Sequence, residues 1–176
     1  NSSKVLHIST HGFYFSPPDK DSLLDVRRVQ GNSFSKAVEP MMRSGLLLSG
    51  ANNIWTGRTP ADISNDGVLT AYEIANLDFS NTELVVLSAC DTGLGDIDYS
   101  EGIYGLQRAF RLAGVRSMII SLWKVPDEET TALMTAFYIA WTSGLPMKQA
   151  FEKAQMDLRK RYPEEPYKWG GFVLIE

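Results

Sequence analysis

Cysteine is nearly absent from this sequence, which contains one, Cys90, among 176 residues. One cysteine cannot form an internal disulfide, so the fold makes no use of an oxidising compartment. We therefore expect a cytoplasmic protein in which any role of Cys90 in chemistry is that of a free thiol.

Long apolar runs and an excess of positive charge are also missing. No run approaches the roughly 18 residues that a membrane-spanning helix requires, and the first four residues have no signal-peptide pattern. The net charge of -4 comes from interspersed acids and bases. Since no basic stripe is present, we expect neither nucleic acid nor a membrane as a direct partner.

Short apolar runs alternate with helical patterns along the chain, whose 44% hydrophobic content suffices for one core. The predicted strands are Val5–Ser9, Gly45–Ser49, Glu83–Ser88, Ser117–Leu122 and Phe172–Ile175. The predicted helices follow Thr70, cover Ile103–Ala113, start at Asp127 and run from Met147 to Arg161. This alternation predicts a single α/β domain over residues 1–176, an α/β/α sandwich with a mostly parallel sheet flanked by helices. The stretch from Gly12 to Asn65 is expected to form mainly loops.

Two reactive side chains follow predicted parallel strands. His11 comes after the first strand, and Cys90 comes after the strand Glu83–Ser88. If these strands are neighbours, roughly 5 Å apart, an imidazole and a thiol emerge at the same sheet edge. A histidine there would matter because an isolated thiol, with a pKa of about 8.5, is mostly protonated at neutral pH. His11 is thus the candidate base for Cys90.

His7 is the rival base. On a continuous strand it would lie roughly 13 Å behind His11, which favours a packed or structural role. The same spacing argues against zinc, because two histidines four residues apart share a face on a helix but not on a strand. We therefore predict no metal and no cofactor.

Gly12 is a candidate for an oxyanion hole. Without a Cβ, its backbone N–H can approach a substrate carbonyl, and the N–H of Cys90 would be the second donor. The opposing interpretation of Cys90 is a small buried hydrophobe at the end of a strand, which is a common environment for a free cysteine. Position alone leaves both open.

Several longer motifs resemble those of the CHAT peptidases, which are bacterial and archaeal caspase-like domains often attached to tetratricopeptide repeats. The similarity covers nearly the whole chain and lies in Leu6–Gly12, Asp66–Ala71, Leu87–Gly95, Glu101–Gly102, Gly105–Phe110, Ala113–Ser117, Ser121–Val125 and Trp169–Leu174.

The resemblance implies that His11 and Cys90 are the catalytic dyad of a cysteine endopeptidase, and that His7 is not part of it. It implies a protein substrate, a regulated bacterial signalling or defence system, and tetratricopeptide repeats or a regulatory subunit as partners. Family domains usually have a strand and a helix before the first histidine-containing strand. The chain is therefore expected to be the C-terminal catalytic part of such a domain.

Substrate selection is predicted for residues near the end of the strand Ser117–Leu122. Trp123, Val125 and Asp127 resemble a Trp-x-Val-x-Asp stretch of separase in which the acid receives an arginine side chain, so Asp127 is predicted to select arginine or lysine. Asp127 also fits as the N-cap of the following helix. Asp91 is a second candidate for cation recognition or a loop cap, and Trp123 either lines the cleft or belongs to the core.

Two other functions remain open at this point. The caspase-like sheet could serve as an interaction or sensor module with an idle dyad, because fold does not dictate function. Alternatively, the dyad could hydrolyse the amide of a small molecule.

Overall fold

The computed structural model describes residues 3–15, 39–52, 66–88 and 99–176. Cys90 and Asp91 lie outside these ranges, as does most of the predicted loop region after Gly12. In the described part of the chain, no helix is both long enough and apolar enough to cross a membrane.

Four of the strands, numbered in chain order, form the larger sheet: β1 (Val5–Ile8), β5 (Leu84–Leu87), β6 (Ser117–Ser121) and β7 (Phe172–Ile175). Their order is β1-β5-β6-β7. Both β1 and β6 run parallel to β5, whereas β7 runs antiparallel to β6. The first strand and the strand before Cys90 are thus parallel neighbours, which is the condition for His11 to act as the base for Cys90. The prediction of a mostly parallel sheet is confirmed.

Helices cover both faces of this sheet. On one face lie α1 (Ala71–Ala75) and α2 (Tyr99–Leu112), and on the other lie α3 (Asp127–Thr142) and α4 (Met147–Arg161). Successive residues of β5 alternate between these layers. Val85 and Leu87 pack in the cluster that contains Phe110, and Leu84 and Val86 pack in the one that contains Phe137. A strand that is covered on both faces requires an unbroken apolar sequence, as in β5. The prediction of an α/β/α sandwich is confirmed.

A second, three-stranded antiparallel sheet consists of β2 (His11–Tyr14), β3 (Ser44–Leu47) and β4 (Val68–Thr70). The prediction of loop structure directly after Gly12 is therefore wrong for β2. This strand has four residues and no regular alternation of apolar and polar residues. It is defined by hydrogen bonds to β3, which lies far along the chain, and such pairing leaves no local pattern.

Local signals set several helix ends. The side chains of Thr70 and Glu73 form a reciprocal capping box at the start of α1, the helix predicted to follow Thr70. Gly114 adopts a positive φ of 99° after α2, a left-handed conformation that favours glycine at the end of a helix. A short helix that the sequence analysis did not predict, α5 (Pro166–Trp169), precedes β7.

Candidate active site

A groove of about 330 Å³ opens at the carboxyl ends of β1, β5 and β6. Connecting loops converge at this edge of a parallel sheet, which is where such folds place their functional residues. Among the described residues, the groove is lined by Ser9, Thr10, His11, Ser88, Lys124, Val125, Asp127, Thr130 and Phe172. The groove thus brings His11 and Asp127, two of the predicted site residues, to one surface.

His11 reaches the groove from the first position of β2, and its side chain is exposed. The chain bends after β1 at Ser9 and Thr10, and the Thr10 hydroxyl donates a hydrogen bond to the carbonyl of Leu47 in β3. His7 and His11 therefore lie on different strands, and the assumption of one continuous strand is wrong. A bend and a change of sheet separate them.

The N–H of Gly12 points away from β3. The Phe15 N–H donates to the Arg43 carbonyl at 2.8 Å. Hydrogen-bonded pairs recur at every second residue of an antiparallel ladder, so His11 exchanges bonds with Leu47, and Gly12 occupies a position without ladder bonds. That N–H is thus not bonded to β3, but Gly12 is buried and is not among the described residues that line the groove.

Ser88 continues the chain from β5 into the groove. Its N–H donates to the carbonyl of Ile8 at 3.0 Å, which extends the β1–β5 pairing by one step. The carbonyl of Leu87 accepts a hydrogen bond from the Ser121 hydroxyl at 3.2 Å. The end of β5 is therefore held from both neighbouring strands, two residues before Cys90.

Asp127 is the first residue of α3 and is exposed. The N-cap is Pro126, and no side chain caps this helix, so the prediction that Asp127 is the N-cap is wrong. Its carboxylate makes no hydrogen bond or ion pair with any residue that the structure describes. Asp127, Glu128 and Glu129 occupy the first turn, where the helix dipole favours negative charge.

Apolar side chains form the walls of the groove beside Asp127. Val125 and Phe172 are buried, and the Thr130 hydroxyl donates to the Val125 carbonyl at 3.5 Å. Lys124 is exposed at the same surface. The groove thus presents apolar side chains, one acidic residue, Asp127, and one basic residue, Lys124, on the same surface.

Trp123 lies beside the groove and is not among the described residues that line it. Its indole N–H donates to the Tyr167 carbonyl at 2.8 Å. A Cβ added to Gly171 would lie 3.0 Å from that indole nitrogen and 2.2 Å from Val125 Cγ2. The ring thus packs against the segment between α5 and β7, and this packing requires glycine at position 171.

Several lining residues were missed in the sequence analysis, namely Ser9, Thr10, Ser88, Lys124, Thr130 and Phe172. Most of them follow strand ends and could have been found from that rule. Phe172 could not, because it begins β7, and only an antiparallel β7 brings its first residue to this edge.

His7 lies on β1 away from the lining of the groove, and its Nδ1 is 3.1 Å from the hydroxyl of Tyr138 in α3. The two rings are tilted, with centroids 5.9 Å apart. Partial burial lowers the pKa of His7 and raises that of Tyr138. The contact fits the structural role that the sequence analysis favoured for His7.

A His7→Gln variant is expected to be less sensitive to acid than the native chain. Because the pKa of His7 is lowered in the folded state, the unfolded chain binds the proton more tightly. The contribution of His7 to stability is full above its unfolded pKa of about 6.5 and is lost as the pH falls through the folded value. Urea unfolding at about pH 7.5 and pH 5.5 should show a smaller loss of unfolding free energy in the variant. Equal losses would contradict this assignment.

Comparison with known proteins connects this geometry to a family. The model of the CHAT domain, a caspase-like domain related to proteases, matches residues 1–176. Tetratricopeptide repeat protein 28 of Mus musculus is 31% identical over 109 residues, and its counterpart in Homo sapiens is 30% identical over 109 residues. Each match covers 61% of this chain and 4% of the relative. The chain belongs to the CHAT domain family.

Proposed function

We propose that the chain is a cysteine endopeptidase in which Cys90 is the nucleophile, His11 is the base and a basic residue precedes the cleaved bond. The proposal depends on the groove, because His11, Asp127 and Ser88 all line it. Membership of a caspase-like, protease-related family supports the same chemistry.

Chain connectivity supports the pairing of Cys90 with His11. Two peptide units separate Ser88 from Cys90, so their Cα atoms are at most about 7.6 Å apart. Ser88 and His11 both line the groove, and this short connection to Ser88 supports the proposed pairing. A neighbouring imidazole increases the thiolate fraction and makes the sulfur a better nucleophile.

The proposed reaction has two steps. His11 takes the thiol proton, and the Cys90 sulfur attacks the carbonyl carbon of the scissile peptide bond. The C–N bond then breaks, and His11 returns the proton to the departing amine. Water, with its proton removed by His11, hydrolyses the thioester and regenerates the thiol. The N–H groups of Gly12 and Cys90 are proposed to stabilise the oxyanion in both steps.

Selection of arginine or lysine is proposed for Asp127, an exposed residue that lines the groove together with Val125 and Phe172. A second cation contact at Asp91 stays a prediction. For Trp123 we keep the prediction of a substrate contact, although its indole bond to Tyr167 supports a role in holding the wall.

A regulated setting is part of the proposal. Both relatives are named as tetratricopeptide repeat proteins, which supports an association of this domain with such repeats or with a regulatory subunit. We propose a cytoplasmic signalling or defence role and a protein substrate. A bacterial source stays a prediction.

Alkylation by iodoacetamide tests the dyad without knowledge of the substrate. The native Cys90 should react at least about tenfold faster than a model thiol at neutral pH, because a nearby imidazole promotes the thiolate. The His11→Ala variant should react at the rate of the model thiol, and His7→Gln should keep the fast rate. Slow labelling of the native chain would instead favour an interaction module with an idle dyad.

A further inference from the structure

Asp127 lacks side-chain support in the part of the chain that the structure describes. Its position therefore depends on the backbone of the first turn of α3. The Thr130 N–H closes this turn by donating to the Pro126 carbonyl at 2.9 Å. Any contact that holds this turn also determines where the carboxylate of Asp127 lies.

Glu129, two residues further along the same turn, makes such a contact. It is buried, with 5% of its surface exposed, and its carboxylate lies 3.2 Å from Nζ of Lys168. The same Nζ lies 3.1 Å from the carboxylate of Glu165 and 4.2 Å from the ring centroid of Tyr162. Lys168 belongs to α5, so this ion pair joins α5 to the start of α3.

Lys168 keeps its charge in this environment. Desolvation lowers the pKa of Lys168, but the hydrogen bonds with Glu165 and Glu129 outweigh that effect and hold the pKa above its ordinary value. A buried carboxylate that loses its cation must take up a proton or turn towards water. Either response of Glu129 removes the ion pair that holds the first turn of α3, and Asp127 lies on that same turn.

Hydrogen bonds join α5, the helix of Lys168, to the segment that precedes Asp127. The indole of Trp123 donates to the Tyr167 carbonyl at 2.8 Å, and the Leu122 N–H donates to the Gly171 carbonyl at 2.6 Å. Both bonds join the segment before Asp127 to α5 or to the residues that follow it. The helix that contains Lys168 is therefore fixed to the segment that leads into α3.

We propose that Lys168 is a positioning residue for substrate selection, which holds the carboxylate of Asp127 in place through Glu129. This inference rests on the proposed function in one respect, namely that Asp127 receives a basic side chain of the substrate. Lys168 itself is not expected to contact substrate, since it is not among the described residues that line the groove.

The test measures binding of N-acetylarginine amide by NMR titration in a Cys90→Ala background, which prevents turnover. Its uncharged isostere, N-acetylcitrulline amide, measures binding without the cation. We expect Lys168→Met to weaken binding of the arginine compound by about tenfold and to leave the citrulline compound unchanged, because the carboxylate is displaced and not removed. Lys168→Arg should restore binding, since it keeps the cation.

Two further variants separate positioning from loss of stability. Glu129→Gln removes the charge at the α3 end and should weaken binding of the arginine compound by at least about threefold. Glu165→Gln removes only the half-exposed partner of Lys168 and should have no effect on binding. If Lys168→Met does not fold, the binding of the arginine compound by Glu129→Gln tests the proposal.

Equal binding of the arginine compound by Lys168→Met and its parent would overturn the inference, as would equal effects of Glu129→Gln and Glu165→Gln. A parent that does not distinguish arginine from citrulline would overturn it too. Failure of the proposed function looks different. In that case the native chain cleaves no peptide, while the preference for arginine and its loss in Lys168→Met are still observed.

Discussion

Substitution of Cys90 by alanine is expected to abolish cleavage of fluorogenic peptides, and His11→Ala is expected to lower kcat/KM by about 10⁴-fold. Each variant removes one half of a proton-transfer pair that acts as a unit. The double variant should therefore be no less active than the worse single variant. Peptides with arginine before the reporter group are the substrates of choice, and kcat/KM is the quantity to compare.

His7→Gln is the matched control for the His11 variant, because His7 lies on β1 with its ring against Tyr138. It should keep kcat/KM within about twofold of the native value, as expected for a substitution away from the reacting groups. If His7→Gln abolishes cleavage and His11→Ala does not, the base has been assigned to the wrong histidine. Full activity in Cys90→Ala would overturn the peptidase proposal itself.

The second large effect is expected at Asp127. The Asp127→Ala variant should lose about 100-fold in kcat/KM for peptides with arginine before the cleaved bond, because a desolvated cation then lacks its counter-charge. The rate with an uncharged residue at that position should change little. In the native chain, arginine peptides should be cleaved far better than aspartate peptides.

Glu128→Gln is the matched control for Asp127. Glu128 is the next residue of α3 and is also exposed and acidic, yet it is not among the described residues that line the groove. Loss of this charge tests whether the general negative potential of the helix start is sufficient for selection. If Glu128→Gln lowers the arginine preference as much as Asp127→Ala, a specific contact at Asp127 is excluded.

Local sequence patterns predicted most elements of the larger sheet and its helices. β5 appears as an unbroken apolar run because both of its faces are covered, and α4 appears as a helical repeat because one of its faces packs on the core. The capping box at Thr70 is also local, since both of its partners lie within four residues. In each of these cases the sequence pattern that reveals the element lies within one short segment of the chain.

β2, β4 and α5 were not predicted, because their partners lie far along the chain. β2 exists because β3 pairs with it across a long stretch of chain. The antiparallel direction of β7 brings Phe172 to the groove, and a run of four apolar residues has no feature that encodes direction. The N-cap assigned to Asp127 was wrong because the helix starts directly after Pro126, with Asp127 as its first residue.

The sequence by itself determined the strand and helix positions in the larger sheet and identified His11 and Asp127 as residues that follow predicted strands. The resemblance to CHAT peptidases, carried by motifs along the chain, gave the family. Only the tertiary structure decided that these residues share one groove and that Lys168 forms an ion pair with the buried Glu129 of α3. The reason is physical: periodicity and capping depend on neighbours within a few residues, whereas a groove and a buried ion pair depend on segments that meet only after folding.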